Sequence, residues 1–561
     1  MGSSCGQALA ASDAAHLHGG LAIWVVPELY LMRAAVFSGH TKRMRNSILT
    51  GGLAALCLSM AALSPLSAAP LAQVSGGRLS GVEKGAVDAF LGIPFAAPPT
   101  GENRWRAPQP PASWSGVRSA AAFAPSCWQA LTPGGFGPWT HEYVISGPVS
   151  EDCLYLNVWK PAAGGTKRPV FVWIYGGGFG SGSGSVPLYD GSALAARGIV
   201  VVTFNYRVGV LGFLAHPLLS AEARSAGAPP GNYGLQDQVA ALRWVHANIA
   251  AFGGDPDAVT IAGQSAGAMS VHLLIGSPLV KGLFRGAIAE SGLLSTLSLP
   301  ELATAEHSGE TFAKDVRADS LQALRALAPD QLAATGPAPP RFGPITDAVL
   351  VPDAAHATLN DTPLIVGMNT DDPGSFGPSP AASAAAVARM LSDTYGAQAA
   401  GIAREYPADT ATQQADALRD IARDRGLAAL YAFSRNRLAT SHQPLYVYLF
   451  NHTEPGPQSG RYRAFHSAEL PYVFDNLNAA PERGFTAQDR ELAREVSAYW
   501  IGFVRTGVPA SDGLPVWPAL TLQAPRIMQL DAPLHVRPIL SAPKLQATKA
   551  YLAAGGVPRL F

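Results

Sequence analysis

Val259-Thr-Ile-Ala-Gly-Gln-Ser265-Ala-Gly267 is the stretch on which the fold turns. Its first four residues, β-branched or small and uncharged, read as a strand buried on both faces. The residues that follow carry Met269, Leu273 and Leu274 at helical spacing. Between strand and helix, Gly263 and Gly267 bracket Ser265 in a Gly-x-Ser-x-Gly turn. A strand that passes this tightly into a helix needs glycine where a Cβ would strike neighbouring backbone. It also leaves the serine hydroxyl exposed at the tip of the sheet. The five-residue pattern is weak alone and occurs again at Gly2-Ser-Ser-Cys-Gly6. The flanking strand and helix give the copy at Ser265 its weight.

Upstream, Pro169-Val-Phe-Val-Trp-Ile-Tyr175 and Gly198-Ile-Val-Val-Val-Thr-Phe204 are further continuous apolar runs. Between the second run and the serine turn, Leu235, Val239, Leu242, Val245 and Ile249 recur every three or four residues, which predicts a helix over 235–249. Phe252-Gly-Gly-Asp-Pro256 then turns the chain into the next strand. Downstream, residues 489–505 read as an amphipathic helix stopped by Thr506-Gly507. Strands alternating with such helices predict an α/β fold with a mostly parallel sheet covered by helices. No repeat or uniform linker divides the chain, so residues 70–561 are expected to form one domain.

The 561 residues are 48% apolar and 14% charged, enough for a large core and too little charge for a disordered chain. Forty basic residues balance forty acidic ones, which argues against nucleic-acid binding. Met44-Arg45-Asn46, the apolar stretch 48–66 and Ser67-Ala68-Ala69 have the form of a secretory signal peptide cut after Ala69, with Met44 as the true start. Ser59, Ser64 and Pro65 interrupt the stretch, so no stable membrane anchor is expected. The expected location is secreted or periplasmic. Cys5 and Cys57 fall in residues 1–69; Cys127 and Cys153 are left as a pair that can form a disulfide after export or stay as two buried thiols.

A serine hydroxyl becomes a nucleophile when a base takes its proton and an acid orients that base. In this fold the acid and then the histidine follow the serine along the chain. Pro363-Leu-Ile-Val-Gly-Met-Asn-Thr-Asp371-Asp372 is a buried strand running into a polar turn, which sets two carboxylates at a strand's end. Asp372 is the candidate acid and Asp371 the fallback. His466 lies in Ala464-Phe-His466-Ser-Ala-Glu-Leu-Pro471, an irregular stretch suited to a catalytic loop. Tyr175-Gly176-Gly177-Gly178-Phe179 follows a buried strand, and its glycines let N–H groups approach a developing oxyanion. His141-Glu142 has no second histidine at a zinc-binding offset, so no metal is expected. The chemistry needs no cofactor.

These residues resemble the type-B carboxylesterase family, which includes the cholinesterases and has the α/β-hydrolase fold. The resemblance spans nearly all of residues 74–561. It is carried by Phe90-Leu-Gly-Ile-Pro-Phe-Ala-Ala-Pro-Pro99, Ser150-Glu-Asp-Cys-Leu-Tyr-Leu-Asn157, the glycine triplet and Asn205-Tyr-Arg207. It continues through Gly231-Asn-Tyr-Gly-Leu-Gln-Asp-Gln238, the serine turn and Phe465-His-Ser-Ala-Glu-Leu-Pro-Tyr-Val-Phe474. The resemblance implies Ser265 as nucleophile, His466 as base and then acid, and Gly177, Gly178 and Ala266 as oxyanion-hole donors. It also implies Cys127–Cys153 as the family's first disulfide and Arg104–Glu151 as a buried structural ion pair.

Two positions depart from the family pattern. Asp372 stands where the family usually has glutamate, one methylene longer. Gln264 stands where a glutamate usually precedes the serine, which removes a charge that would help hold a quaternary ammonium. Trp128 and Trp139, between the two cysteines, sit at no convincing offset for a cation cage and read as packing anchors. Uncharged esters with short to medium acyl chains are therefore expected, with larger or polymeric esters as alternatives. An acyltransferase or amidase would use the same machinery, because the acyl-enzyme is common and only the acceptor differs. A non-catalytic relative would lack the serine, so intact Ser265 and His466 argue against it.

Overall fold

A computed structural model describes residues 69–293, 298–333, 341–352, 360–375 and 381–560. The expected extension and leader, with Met44, Cys5 and Cys57, lie outside the described residues. Eleven strands among the described residues form the main sheet. They are β1 (Val82–Lys84), β2 (Val87–Pro94), β3 (Tyr155–Pro161), β4 (Arg168–Ile174), β5 (Val200–Phe204) and β6 (Gly254–Gln264). The remainder are β7 (Gly286–Glu290), β8 (Leu364–Asn369), β9 (Leu445–Phe450), β10 (Arg526–Leu530) and β11 (His535–Pro538).

Their order across the sheet is β1-β2-β3-β5-β4-β6-β7-β8-β9-β10-β11. Every pairing from β5 across to β10 is parallel, and those outside it are antiparallel. Parallel strands need crossovers that lay helices on the faces, so the central strands are buried on both sides. All residues of β5, β7, β8 and β9 are accordingly buried. Ser67–Phe561 forms one compact unit. The arrangement is the α/β-hydrolase fold. Because these strands run the same way, their carboxyl ends share one edge, where open α/β sheets build their sites.

Four helices matter to the site: α1 (Tyr233–Asn248), α2 (Ala266–Ile275), α3 (Ala411–Thr440) and α4 (Ala487–Thr506). The predicted stripe of α1 is buried at Leu235, Val239, Leu242 and Val245. The helix begins two residues earlier than its apolar periodicity suggests, because Asn232 in the left-handed region (φ 51°) turns the chain into it. It ends one residue earlier too, tightening into a 3-10 turn over Ile249–Phe252. Helix α4 also starts two residues early: Thr486 and Asp489 form a reciprocal capping box, and Gly507 (φ 78°) closes the other end.

Strand β6 is longer than its apolar run. It starts at Gly254 and slips register against β4 between Gly254 and Val259, a bulge that accommodates Pro256, which has no N–H to give the ladder. No helix of the described residues is long and apolar enough to cross a membrane.

Candidate active site

The serine turn is held by steric necessity. A Cβ at Gly263 would lie 2.6 Å from the Gly267 carbonyl, and one at Gly267 would lie 2.0 Å from the Ile174 oxygen at the end of β4. Ser265 itself adopts φ 58°, ψ −123°, a strained conformation for a residue with a side chain. Its backbone N–H donates to the Glu290 carbonyl at 2.8 Å, and its carbonyl accepts from Met269 N–H at 3.0 Å. These bonds fix the turn between β6 and α2. Ala266 is the first residue of α2, at the positive end of the helix dipole.

The glycine loop leaves β4 beside this turn. Gly177 (φ 114°) and Gly178 (φ 63°) are both exposed. A Cβ at Gly177 would sit 2.3 Å from the Ser181 carbonyl, so the loop closes only with glycine there. The Gly177 carbonyl accepts from the N–H groups of Gly180 and Ser181, both at 3.1 Å, which locks the loop's curvature.

His466 sits in a turn between β9 and α4. Its Nδ1 lies 2.8 Å from Asp372 Oδ1, and both side chains are buried. Its backbone N–H donates to Ser375 Oγ at 2.8 Å. Asp372 lies in the turn just after β8, and its second oxygen accepts from Asn369 N–H at 2.8 Å. Aspartate thus reaches the histidine despite its missing methylene. Asp371 faces elsewhere: its Oδ1 lies 3.3 Å from Arg419 Nε of α3. Burial pushes the Asp371 carboxyl above its ordinary range, with Arg419 acting against the rise. Of the two adjacent carboxylates, only Asp372 meets the histidine.

Ser265, His466, Gly176, Gly177 and Gly178 line one cavity of about 270 Å³. A second cavity of about 240 Å³ shares Ser265 and Gly178 and is lined by Ala266, Phe179, Met269, Leu273, Leu299 and Pro344. The serine therefore stands between two lobes. Histidine lines only the first, which is aromatic through Phe136, Trp139, Tyr143 and Tyr189. No aspartate, glutamate, lysine or arginine lines either lobe among the described residues.

Cys127 and Cys153 form a disulfide. The segment it closes supplies one wall of the first lobe, from Gln129 to Ile145. Gln129 fastens this wall to the glycine loop, accepting from Gly182 N–H at 2.7 Å and donating to the Gly182 carbonyl at 2.9 Å. Replacing both cysteines by serine is expected to lower unfolding stability by about 3 kcal/mol, as for a loop of this length. It should also raise KM, because the wall loses its tether. Denaturant unfolding and ester kinetics on the double variant check both effects.

Trp139 belongs to the site although its sequence offset gave no sign of it. It donates Nε1–H to Ser467 Oγ at 3.1 Å and packs edge-on against His466, with ring centroids 6.4 Å apart. Arg104 pairs with Glu151 and also donates to the carbonyls of Leu324, Arg325 and Leu327, which makes it scaffold. A second buried pair went unnoticed in the sequence: Arg207 to Asp237, at 2.7 Å and 2.8 Å. His141, Glu142 and Glu482 bring three potential metal ligands together. Glu142 is bonded there to Arg483, which also pairs with Glu454 at 3.2 Å.

A mostly parallel sheet with a serine on the β6–α2 turn, and a histidine–carboxylate pair opening on the same cavity, defines an α/β-hydrolase with its site at the strand ends. The chain belongs to the carboxylesterase family, whose family model matches residues 65–548. It is 40% identical to the fumonisin B1 esterase of Sphingopyxis macrogoltabida over 79% of this chain and 83% of that protein. It is 35% identical to the cocaine esterase of Homo sapiens over 91% of this chain and 96% of that one. A solved structure of a PNB esterase superposes with a TM-score of 0.68 at 32% identity, covering 86% of this chain and all of that one.

Proposed function

We propose that this carboxylesterase works through an acyl-enzyme on Ser265, with His466 as general base and then acid and Asp372 holding the imidazole. The observation that carries the reading is the 2.8 Å contact of His466 Nδ1 with Asp372, in a turn whose histidine lines the same cavity as Ser265. Ser265 attacks the ester carbonyl as His466 accepts its proton. The oxyanion forms against the N–H groups of Gly177, Gly178 and Ala266, which are fixed beforehand by the glycine loop and the start of α2. His466 then protonates the departing alcohol, and water repeats the sequence on the acyl-enzyme.

The leaving oxygen must come within reach of His466, so the alcohol occupies the aromatic lobe and the acyl group the aliphatic one. A lobe of about 240 Å³ lined by Met269, Leu273 and Leu299 suits short to medium acyl chains. The uncharged lining suits uncharged esters, since a buried unpaired charge would lose its hydration without recompense. The relatives are named for different esters, so family membership carries the reaction and leaves the choice of acyl and alcohol groups to these lobes. The Cys127–Cys153 disulfide favours work outside the cytoplasm, secreted or periplasmic.

The test is hydrolysis of a p-nitrophenyl ester series from acetate to palmitate, together with labelling by a fluorophosphonate and peptide mapping. Rates should peak at a short or medium chain and fall steeply at palmitate, and the phosphonate should map to Ser265. A label on any other residue, or no hydrolysis by the folded protein, would overturn the reading.

A further inference from the structure

Behind the histidine–carboxylate pair lie two further carboxyls that the mechanism does not use. Glu290 ends β7 and Glu469 follows His466 by three residues; neither has any exposure to solvent. The register of the sheet sets Glu290 beside Gly367 of β8, and Gly367 beside Tyr448 of β9. Paired residues of parallel strands point to the same face. Gly367 has no side chain there, and a Cβ on it would lie 2.2 Å from the Tyr448 ring. The tyrosine therefore leans across the glycine towards the Glu290 side. Trp500 of α4 packs edge-on to Tyr448, with centroids 5.6 Å apart, and donates Nε1–H to Glu290 Oε1 at 2.7 Å.

Glu469 is tied to the catalytic acid through one residue. Asn369 donates its side-chain amide to Glu469 Oε2 and its backbone N–H to Asp372 Oδ2. Each glutamate thus has one oxygen supplied with a donor. Glu290 Oε2 and Glu469 Oε1 are buried with none. No lysine, arginine or histidine among the described residues is ion-paired with either carboxyl. The titratable groups whose charges act with them are Asp372, Tyr448 and Tyr189, all acids, with His466 on the far side of Asp372.

We propose that Glu290 and Glu469 are a proton-holding carboxyl pair that positions the acid arm of the triad, keeping Asp372 as the one full negative charge behind His466. A buried acid cluster without a cation cannot carry a charge on every member, because each added charge meets both desolvation and its neighbours' repulsion. A proton on each carboxyl leaves the pair neutral and gives each bare oxygen a hydrogen of its own. It also leaves Asn369 free to orient Asp372 rather than to bridge two anions. Burial pushes the Glu290 carboxyl up to about 8, with the Trp500 bond acting against the rise. Burial, then Glu290 and Asp372, push Glu469 well above the usual carboxyl range. When the pair loses a proton to solvent at alkaline pH, a second negative charge appears beside Asp372. That charge makes His466 a stronger base and a poorer acid towards the leaving alcohol.

The sign of the linked stability follows. A carboxyl whose folded pKa lies above its unfolded one contributes stability that is full below the unfolded value and is lost as pH rises through the folded value. Wild-type Tm should therefore fall between about pH 5 and about pH 8. The experiment compares Tm and kcat across about pH 5 to pH 9 for the wild type, Glu290→Gln and Glu469→Gln. Glu290→Gln keeps an acceptor for Trp500 and removes the titration. Its Tm should match wild type near pH 5 and exceed it by several degrees near pH 9, and the alkaline transition in kcat should disappear. The carboxylic-acid carbonyl stretch in the infrared gives a second reading as a difference: the wild type should show at neutral pH an intensity that fades as the pair ionises and is missing from Glu290→Gln and Glu469→Gln, which sets aside the buried Glu454 carboxyl, itself pushed up to about 8 by burial.

Parallel pH profiles in all three proteins, or an infrared band that does not titrate, would overturn the proposal. It rests on Asp372 and His466 as the catalytic arm, but the Tm and infrared readings report on the pair even in a protein that hydrolyses nothing. The two readings can therefore fail separately.

Discussion

Ser265→Ala is expected to lower kcat for p-nitrophenyl esters by about a millionfold, while Tm stays within a few degrees of wild type. The size follows from what the hydroxyl does. On the proposed mechanism no acyl-enzyme forms without it, and the remaining route is direct attack by water on an ester held by the glycine loop. Removing the nucleophile of such a triad costs about as much as removing all its members. Oxyanion donors and binding alone retain roughly 10³- to 10⁴-fold over the uncatalysed reaction. The backbone supports the expectation of an intact fold: the turn is held by Ser265 N–H to Glu290 and by the glycines that flank it, and alanine leaves both in place. A variant that keeps a tenth of wild-type activity would remove Ser265 from the mechanism.

Asp372→Asn should lower kcat by about ten-thousandfold, and Asp371→Asn by no more than a few-fold. Asp372 Oδ1 lies 2.8 Å from His466 Nδ1 and, in the proposed mechanism, accepts a hydrogen bond from it, which leaves Nε2 to act as the base. An amide at that position can turn its NH₂ towards Nδ1 and select the wrong tautomer. The geometry would survive and the chemistry would not. Asp371 is one residue away along the chain but pairs with Arg419 at 3.3 Å, outside the cavity. Its replacement should lower stability slightly and leave turnover close to wild type. The check is kcat on both variants after their folding has been verified by circular dichroism. A reversed ranking would transfer the acid's role to Asp371.

Much of this site is local and for that reason legible along the chain. The serine turn is written in residues within four positions of one another: a Cβ at Gly263 would strike Gly267 itself, although the one at Gly267 would strike Ile174 at the end of β4. The glycine triplet announces a backbone conformation closed to other residues at Gly177. The buried parallel strands announce themselves by uninterrupted apolar runs, because both of their faces are covered. The boundaries of α1, α4 and β6 were less legible. Their ends are set by a left-handed asparagine, a capping box and a bulge, not by apolar periodicity.

Other features carry no local mark. Two adjacent aspartates are equivalent in a sequence. Successive side chains leave a turn in different directions, and only the packing of α3 and the His466 turn around β8 gives Asp371 to Arg419 and Asp372 to the histidine. Trp139 looks like any loop aromatic until the disulfide folds its segment over the cavity. Glu290 and Glu469 read as ordinary charged residues until strand register and α4 enclose them together.

The order of the chain therefore fixed the class of fold, the serine, the histidine and the glycines, because their signals lie in neighbouring residues and in backbone sterics. The tertiary structure chose between the two aspartates, shaped the two lobes and buried the carboxyl pair. Those outcomes depend on contacts between segments far apart in sequence, which form only when the sheet, its helices and its loops pack.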